Sequence, residues 1–181
     1  MNVIETRLPG VLLIEPRVFG DERGFFFESF NARAFRDAAG VTLDFVQDNH
    51  SHSRHGVLRG LHYQIEQAQG KLVRAVAGEV FDAVVDLRRS SPTFGRWEGF
   101  VLSAQNKRML WVPPGFGHGY LVLSDAADFL YKTTDYWAPE HERCIRWNDP
   151  ALGIDWRIEE APSLSAKDAQ GVLLRDAELF D

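Results

Sequence analysis

Cysteine is nearly absent: Cys144 is the only one in 181 residues. That excludes an intramolecular disulfide and suits a reducing compartment. Long apolar runs are missing too, and none approaches the ~18 residues of a membrane-spanning helix. The opening Met1-Asn-Val-Ile-Glu-Thr-Arg offers neither the basic nor the apolar region of a secretory leader, so the expectation is a cytoplasmic protein away from membranes. Positive charge is in deficit, with 20 Lys and Arg against 26 Asp and Glu and a net charge of −6. A nucleic-acid partner is therefore not expected, since the phosphate backbone selects basic faces. A phosphate ligand would have to be held by a few focused cations. Repeats, low-complexity tracts and linkers are also lacking. The whole chain, 1–181, reads as one domain, long enough to bury roughly 70% of its unfolded surface.

What is present is mostly strand. From Val80 to Leu87 the residues alternate, with Phe81, Ala83, Val85 and Leu87 on one face and Asp82 and Asp86 on the other. Turn signals flank the run at Gly78-Glu79 and Ser90-Ser91-Pro92. Further strands are expected at 24–29, 57–63, 72–76, 97–102, 109–112, 118–123 and 129–136. Short strands with regular turns indicate a sandwich, jelly roll or barrel. Two helical pieces stand out: Ala32–Ala39, capped by Asn31 and stopped by Gly40, and a turn at Ser165–Ala169 that Ser165 can cap. The last thirty residues carry little periodicity and are expected to wrap the barrel.

Chemistry concentrates in Gly56-Val-Leu-Arg-Gly-Leu-His62-Tyr-Gln64, followed by Gly70-Lys71 and Gly78. This stretch resembles the first motif of metal-binding double-stranded β-helices, the cupins. That motif is Gly, five residues, His-x-His, a short gap, Glu, six residues and Gly. Here Gln64 stands for the second His and Lys71 for the Glu. An ammonium repels the divalent ion that such a site would hold, because those sites want imidazole and carboxylate. The pocket reads as rebuilt for a negative, or transiently negative, organic group. Pro113-Pro-Gly115-Phe-Gly-His118 matches the second cupin motif, with Val122 in place of its Asn. The implied fold is mainly β, a cupin-like jelly roll with a few short helices, in which His62 and His118 face one cavity beside Lys71.

Two imidazoles and a lysine without a metal suit proton removal from carbon. Histidine is the side chain best placed to take a proton at neutral pH. The charge it creates must move onto an adjacent carbonyl oxygen, where a cation in a water-poor cavity stabilises it. Return of the proton from the other face needs a second group. Tyr131 shares its strand face with Phe129 and Thr133, a parity that points it into the barrel. The residues alone therefore suggest an isomerase or epimerase working next to a carbonyl.

Several segments together resemble the dTDP-4-dehydrorhamnose 3,5-epimerase family. They are Arg59-Gly-Leu-His62-Tyr-Gln64, Gly70-Lys71-Leu-Val-Arg74, Trp111 to Gly119, Tyr131 to Glu140, Asp21 to Glu28, Gln47-Asp-Asn49 and Leu164 to Asp168. The resemblance runs essentially from end to end. It implies a cofactor-free, metal-free jelly-roll homodimer that inverts C3 and C5 of dTDP-4-dehydro-6-deoxy-D-glucose. It implies His62 as base with Asp168 orienting it, and Tyr131 as proton donor. Lys71 and Arg59 would lie near the sugar and its C4 oxygen. Arg23, Glu28, Gln47, Asn49, His118, Glu142 and Lys167 would contact nucleotide or sugar, part of that shell crossing from a partner subunit. The position that stacks on thymine, often tyrosine in the family, falls on Trp137; Tyr136 is read as pointing to the opposite strand face.

Other readings stay open at this stage. A single-position C3 epimerase or a ketoisomerase would share barrel and nucleotide shell. A non-catalytic cupin module that binds a sugar nucleotide is the alternative of another class. His50, His52 and His55 read as an exposed strand end rather than a metal tract, Arg88-Arg89 as a solvated turn, and Phe25–Phe27 and Trp97 as core or interface.

Overall fold

β-Branched and aromatic residues alternating over four to eight positions build strands that each have two packable faces. The computed structural model describes residues Met1–Asp181 and arranges those strands in two facing antiparallel sheets. The first sheet runs β1 (Asn2–Glu5), β2 (Leu12–Glu15), β10 (Met109–Val112), β7 (Lys71–Ala77), β12 (Ala126–Thr133) and β5 (Gln47–Arg54). The second runs β13 (Glu142–Cys144), β6 (Leu58–Gln64), β11 (Phe116–Val122), β8 (Glu79–Asp86) and β9 (Trp97–Ser103). A separate hairpin pairs β3 (Phe19–Asp21) with β4 (Gly24–Phe26). This is the mainly β, cupin-like jelly roll expected from the sequence.

The core between the sheets holds Val73, Ala75, Leu110 and Phe129 from one side and Val80, Val84, Leu102 and Tyr120 from the other. Fully burying a side chain such as Phe129 contributes about 1.5–3 kcal/mol. β8 is buried on both faces. Its Phe81, Ala83 and Val85 point away from the first sheet and pack with Leu152, Trp156 and Ala177. The aperiodic C-terminal segment thus covers the outside of the second sheet, and its apolar residues are spaced to fit that surface rather than a helix or strand.

Helix α1 (Ala32–Ala39) seals the outside of the first sheet. Asn31 accepts from the Ala34 amide at 3.0 Å, and Gly40 closes the helix at φ 67°. Its one buried residue, Phe35, meets Trp111 edge-on with ring centroids 5.6 Å apart. The second helix, α2 (Ala166–Ala169), is capped by Ser165 as expected and carries Asp168 into the body of the protein. Most strands lie where the alternation put them. Two end early: the strand expected at 24–29 stops at Phe26, and β12 stops at Thr133 instead of reaching Tyr136. Residues 134–137 leave the sheet because the Thr133 side chain donates to the Asp135 carbonyl and Gln69 holds the same carbonyl at 2.9 Å.

Candidate active site

A cavity of about 210 Å³ opens between the sheets. It is lined by Gln47 and Asn49 from β5, Lys71 from β7, Tyr131 from β12, His62 and Gln64 from β6, Glu142 from β13, and Trp137 from the loop after β12. Strand register explains the gathering. Tyr131 pairs with Asn49, and Thr133 pairs with both Gln47 and Lys71, so all project from one face of the first sheet.

His62 stands on the facing sheet with its Nε2 at 2.5 Å from Asp168 Oδ1. Asp168 is only 3% exposed, and two other donors hold it: the Gly60 amide at 3.2 Å and the Ser165 hydroxyl at 2.6 Å. Burial alone would raise the Asp168 pKa; the hydrogen bonds from His62 and Ser165 outweigh it and bring the value to about 2. An ionised carboxylate only accepts, so Nε2 carries the ring hydrogen and Nδ1 keeps the free lone pair. Burial pulls the His62 pKa below the ordinary imidazole value, against the opposing pull of Asp168. The ring is consequently neutral at pH 7 and available as a base. Gly60 makes this geometry possible. Its φ is +126°, and a Cβ there would stand 2.5 Å from the Gly119 Cα, so only glycine lets β6 press against β11 while its amide meets Asp168.

Across the cavity, burial lowers Lys71 to about 8, with Glu142 and Asp82 pulling the other way. The ammonium form still prevails at neutral pH. Burial raises Tyr131, and Tyr120 and Glu142 add to the rise, so its phenol keeps its proton. Base, cation and acid therefore surround one polar space.

The remaining residues singled out in the sequence divide into three groups. Trp137, Gln47, Glu142 and Lys167 form one chain of contacts at the cavity mouth. The Trp137 amide donates to Gln47 Oε1 at 3.1 Å, its indole N–H donates to Glu142 Oε2 at 3.2 Å, and Lys167 meets the same oxygen at 2.6 Å. The indole is left 59% exposed beside the cavity, free to stack on a flat ring. His118 and Arg59 sit just behind the lining: His118 pairs with His62 across the strands and bonds Asp82 at 2.8 Å, and Arg59 donates to the Ser53 hydroxyl at 3.0 Å. Arg23 and Glu28 are elsewhere. Arg23 is exposed and held by Asp21 on the β3–β4 hairpin, and Glu28 lines a different groove beside α1.

The dTDP-4-dehydrorhamnose 3,5-epimerase family model matches residues 5–176. The dTDP-4-dehydrorhamnose 3,5-epimerase of Pseudomonas aeruginosa is 66% identical over 180 residues, covering 99% of both chains. This chain belongs to that family. Its fold superposes with a TM-score of 0.96 on the Legionella pneumophila dTDP-6-deoxy-D-glucose-3,5-epimerase in complex with dTDP-4-keto-L-rhamnose, at 55% identity over 98% of this chain and 94% of that one. A 3′-monoepimerase of Streptomyces bikiniensis in complex with dTDP-quinovose has a TM-score of 0.89 and 36% identity, over 94% and 86% of the two chains.

Within this epimerase family member, Tyr136 and Trp137 both lie in the loop after β12 rather than on opposite strand faces. Trp137 lines the cavity, whereas Tyr136 is outside it, its carbonyl accepting from Gln64 at 3.2 Å and its amide donating to Asp135 at 2.8 Å. Three participants escaped the sequence reading. Asp82, fully buried with Oδ1 unpartnered, is the acceptor for His118. An acidic residue in the middle of a strand buried on both faces was the available signal. Gln69 and Tyr63 also line the cavity, and nothing in their surroundings marks them in advance.

Proposed function

We propose that this chain inverts C3 and C5 of dTDP-4-dehydro-6-deoxy-D-glucose to give dTDP-4-dehydro-L-rhamnose, as a step of dTDP-L-rhamnose biosynthesis. The observation that carries the reading is the neutral His62 with its buried Asp168, facing an ammonium and a phenol across one cavity. His62 Nδ1 takes the proton from the carbon beside the C4 ketone, and the electron pair moves onto the C4 oxygen. Lys71 stabilises the enolate, Asp168 stabilises the imidazolium, and Tyr131 returns a proton from the opposite face. The ketone itself is the electron sink, so the scheme calls on no further group. Arg59, His118 and the Trp137–Gln47–Glu142–Lys167 chain, with Asn49, would position sugar and nucleotide.

The test is NMR of the substrate in heavy water with no reductase present. Deuterium at both C3 and C5 supports double inversion. Label at C3 alone would make this a single-position epimerase, which the monoepimerase with the same fold shows to be compatible with this barrel. Binding without any label would leave only a sugar-nucleotide-binding module.

Two expectations follow from the site. Because Lys71 titrates near 8, kcat/KM should decline as pH rises through that value, since the ammonium that stabilises the enolate is lost there. The decline should vanish in Lys71→Gln, at a rate about 10²-fold lower; an unchanged alkaline limb in that variant assigns it to another group. Removing the exposed indole by Trp137→Ala should raise KM by about 5–100-fold, the worth of one stacked base, with kcat changed far less. A fall in kcat alone would instead place Trp137 in the chemistry.

A homodimer is part of the same proposal. Arg23 and Glu28 do not line the cavity of their own chain, and Phe25 and Phe26 beside them are 63% and 71% exposed. Docking that hairpin on a second copy would cover the rings and bring the arginine to the partner's nucleotide. Sedimentation of the wild type against Phe26→Asp checks this: the variant should be monomeric and slow. The lone cysteine supports a reducing, cytoplasmic setting.

A further inference from the structure

The geometry behind the catalytic base points to a second use of His62: we infer that His62, Cys144 and Asp168 form an inhibitory site for a soft divalent cation such as Zn²⁺. Cys144 lies directly opposite His62 in the pairing of β13 with β6, so thiol and imidazole project side by side from one sheet face. Asp168 enters from α2 and meets both. Its Oδ1 is 2.5 Å from His62 Nε2 and 4.0 Å from Cys144 Sγ, and the three ligand atoms lie within 4.8 Å of one another.

Donors around a tetrahedral zinc ion are spaced about 3.3–3.8 Å apart. The two measured separations bracket that range, so modest side-chain shifts would close the site without moving either strand. The carboxylate is already oriented by the Gly60 amide and the Ser165 hydroxyl, the kind of outer support that ligating groups need. Thiolate, imidazole and carboxylate together favour Zn²⁺ or Cd²⁺ over Mg²⁺ or Ca²⁺. Three protein ligands leave one position for water. Lys167 would not oppose the ion strongly, since Glu142 holds it at 2.6 Å; Lys71 is the cation that would.

Inhibition follows from proton placement. In the metal-free ring the hydrogen sits on Nε2 and the lone pair on Nδ1. Three metal–ligand bonds form, the Cys144 thiol proton goes to solvent, and the Nε2 hydrogen moves to Nδ1. That removes the lone pair that takes the substrate proton. Nothing is oxidised or reduced, and the nucleotide contacts at the cavity mouth remain. Turnover should fall while nucleotide affinity does not. The cupin metal site lost at Gln64 and Lys71 would thus be replaced by a different one on the other side of the same histidine.

The test uses chelator-stripped enzyme titrated with Zn²⁺ for activity and with Cd²⁺ for the ultraviolet thiolate-to-metal charge-transfer band. Zn²⁺ should inhibit, EDTA should restore activity, and Cd²⁺ should raise the band. Cys144→Ser should keep the basal rate, lose the band, and need at least about tenfold more Zn²⁺ for half-inhibition. Equal inhibition of wild type and Cys144→Ser, or no band in the wild type at saturating Cd²⁺, would overturn the proposal. So would loss of inhibition in His52→Ala, because His50 and His52 on β5 form a separate exposed cluster with Asp128 on β12. Inactivity of stripped enzyme on the sugar nucleotide would count against the epimerase reading alone, since the Cd²⁺ band still decides the metal site.

Discussion

Replacing His62 with Ala is expected to lower kcat by about 10³–10⁴-fold, because it removes the only neutral imidazole lining the cavity. Binding of dTDP, measured by calorimetry, should change little, since the stacking indole and its network sit at the mouth of the site. Asp168→Asn sharpens the test. The amide keeps the volume but offers no fixed negative charge to the Nε2 hydrogen, so tautomer and imidazolium both lose support. Its loss should lie in kcat, at about 10²-fold or more, with dTDP affinity again kept. If His62→Ala still exchanged solvent deuterium at C3 and C5 at near wild-type rates, another base would do the chemistry. If instead both variants lost dTDP affinity in step with activity, the dyad would be a structural pair.

His62 was legible because it sits in a motif whose departures are informative. A cation at the carboxylate position says what the pocket no longer holds. Asp168 was legible only through resemblance, as 106 residues separate it from His62 and its segment has no periodicity. What brings the two together is the C-terminal wrap on the second sheet, set by scattered apolar residues such as Leu152 and Trp156 that no single-period pattern reveals.

β5 shows the opposite difficulty. Gln47-Asp-Asn-His-Ser-His-Ser-Arg54 alternates in burial, yet both of its faces are polar, so hydrophobic periodicity passes over it. Its inward residues are polar because they line a ligand cavity, and its outward ones because the strand ends the sheet. His50 and His52 were read as an exposed strand end, as they are, but Gln47 and Asn49 came only from the family likeness. The β3–β4 hairpin, with its exposed rings, was read in the sequence as core or interface; within one chain it is not core. Strands whose inner face serves the ordinary core, such as β7, β8 and β10, were placed to within a residue or so by alternation alone. β5, which lines part of the site, offers alternation nothing to see.

Tyr131→Phe is the variant that separates proton removal from proton return. Its phenol is held protonated by burial and faces His62 across the cavity, while the base and Lys71 are untouched by the change. His62 should therefore still exchange a substrate proton for solvent deuterium, but the proton can come back only from the side it left. Inversion should fall by about 10²–10⁴-fold, the usual contribution of a positioned acid, with exchange reduced far less. The measured quantity is the ratio of deuterium incorporated to configuration inverted, followed by NMR at C3 and C5 separately. A ratio that rises at both carbons makes Tyr131 the donor for both. A rise at C5 alone means that C3 is reprotonated by another group. A ratio unchanged while both rates fall together would show that the hydroxyl positions substrate instead of donating the proton.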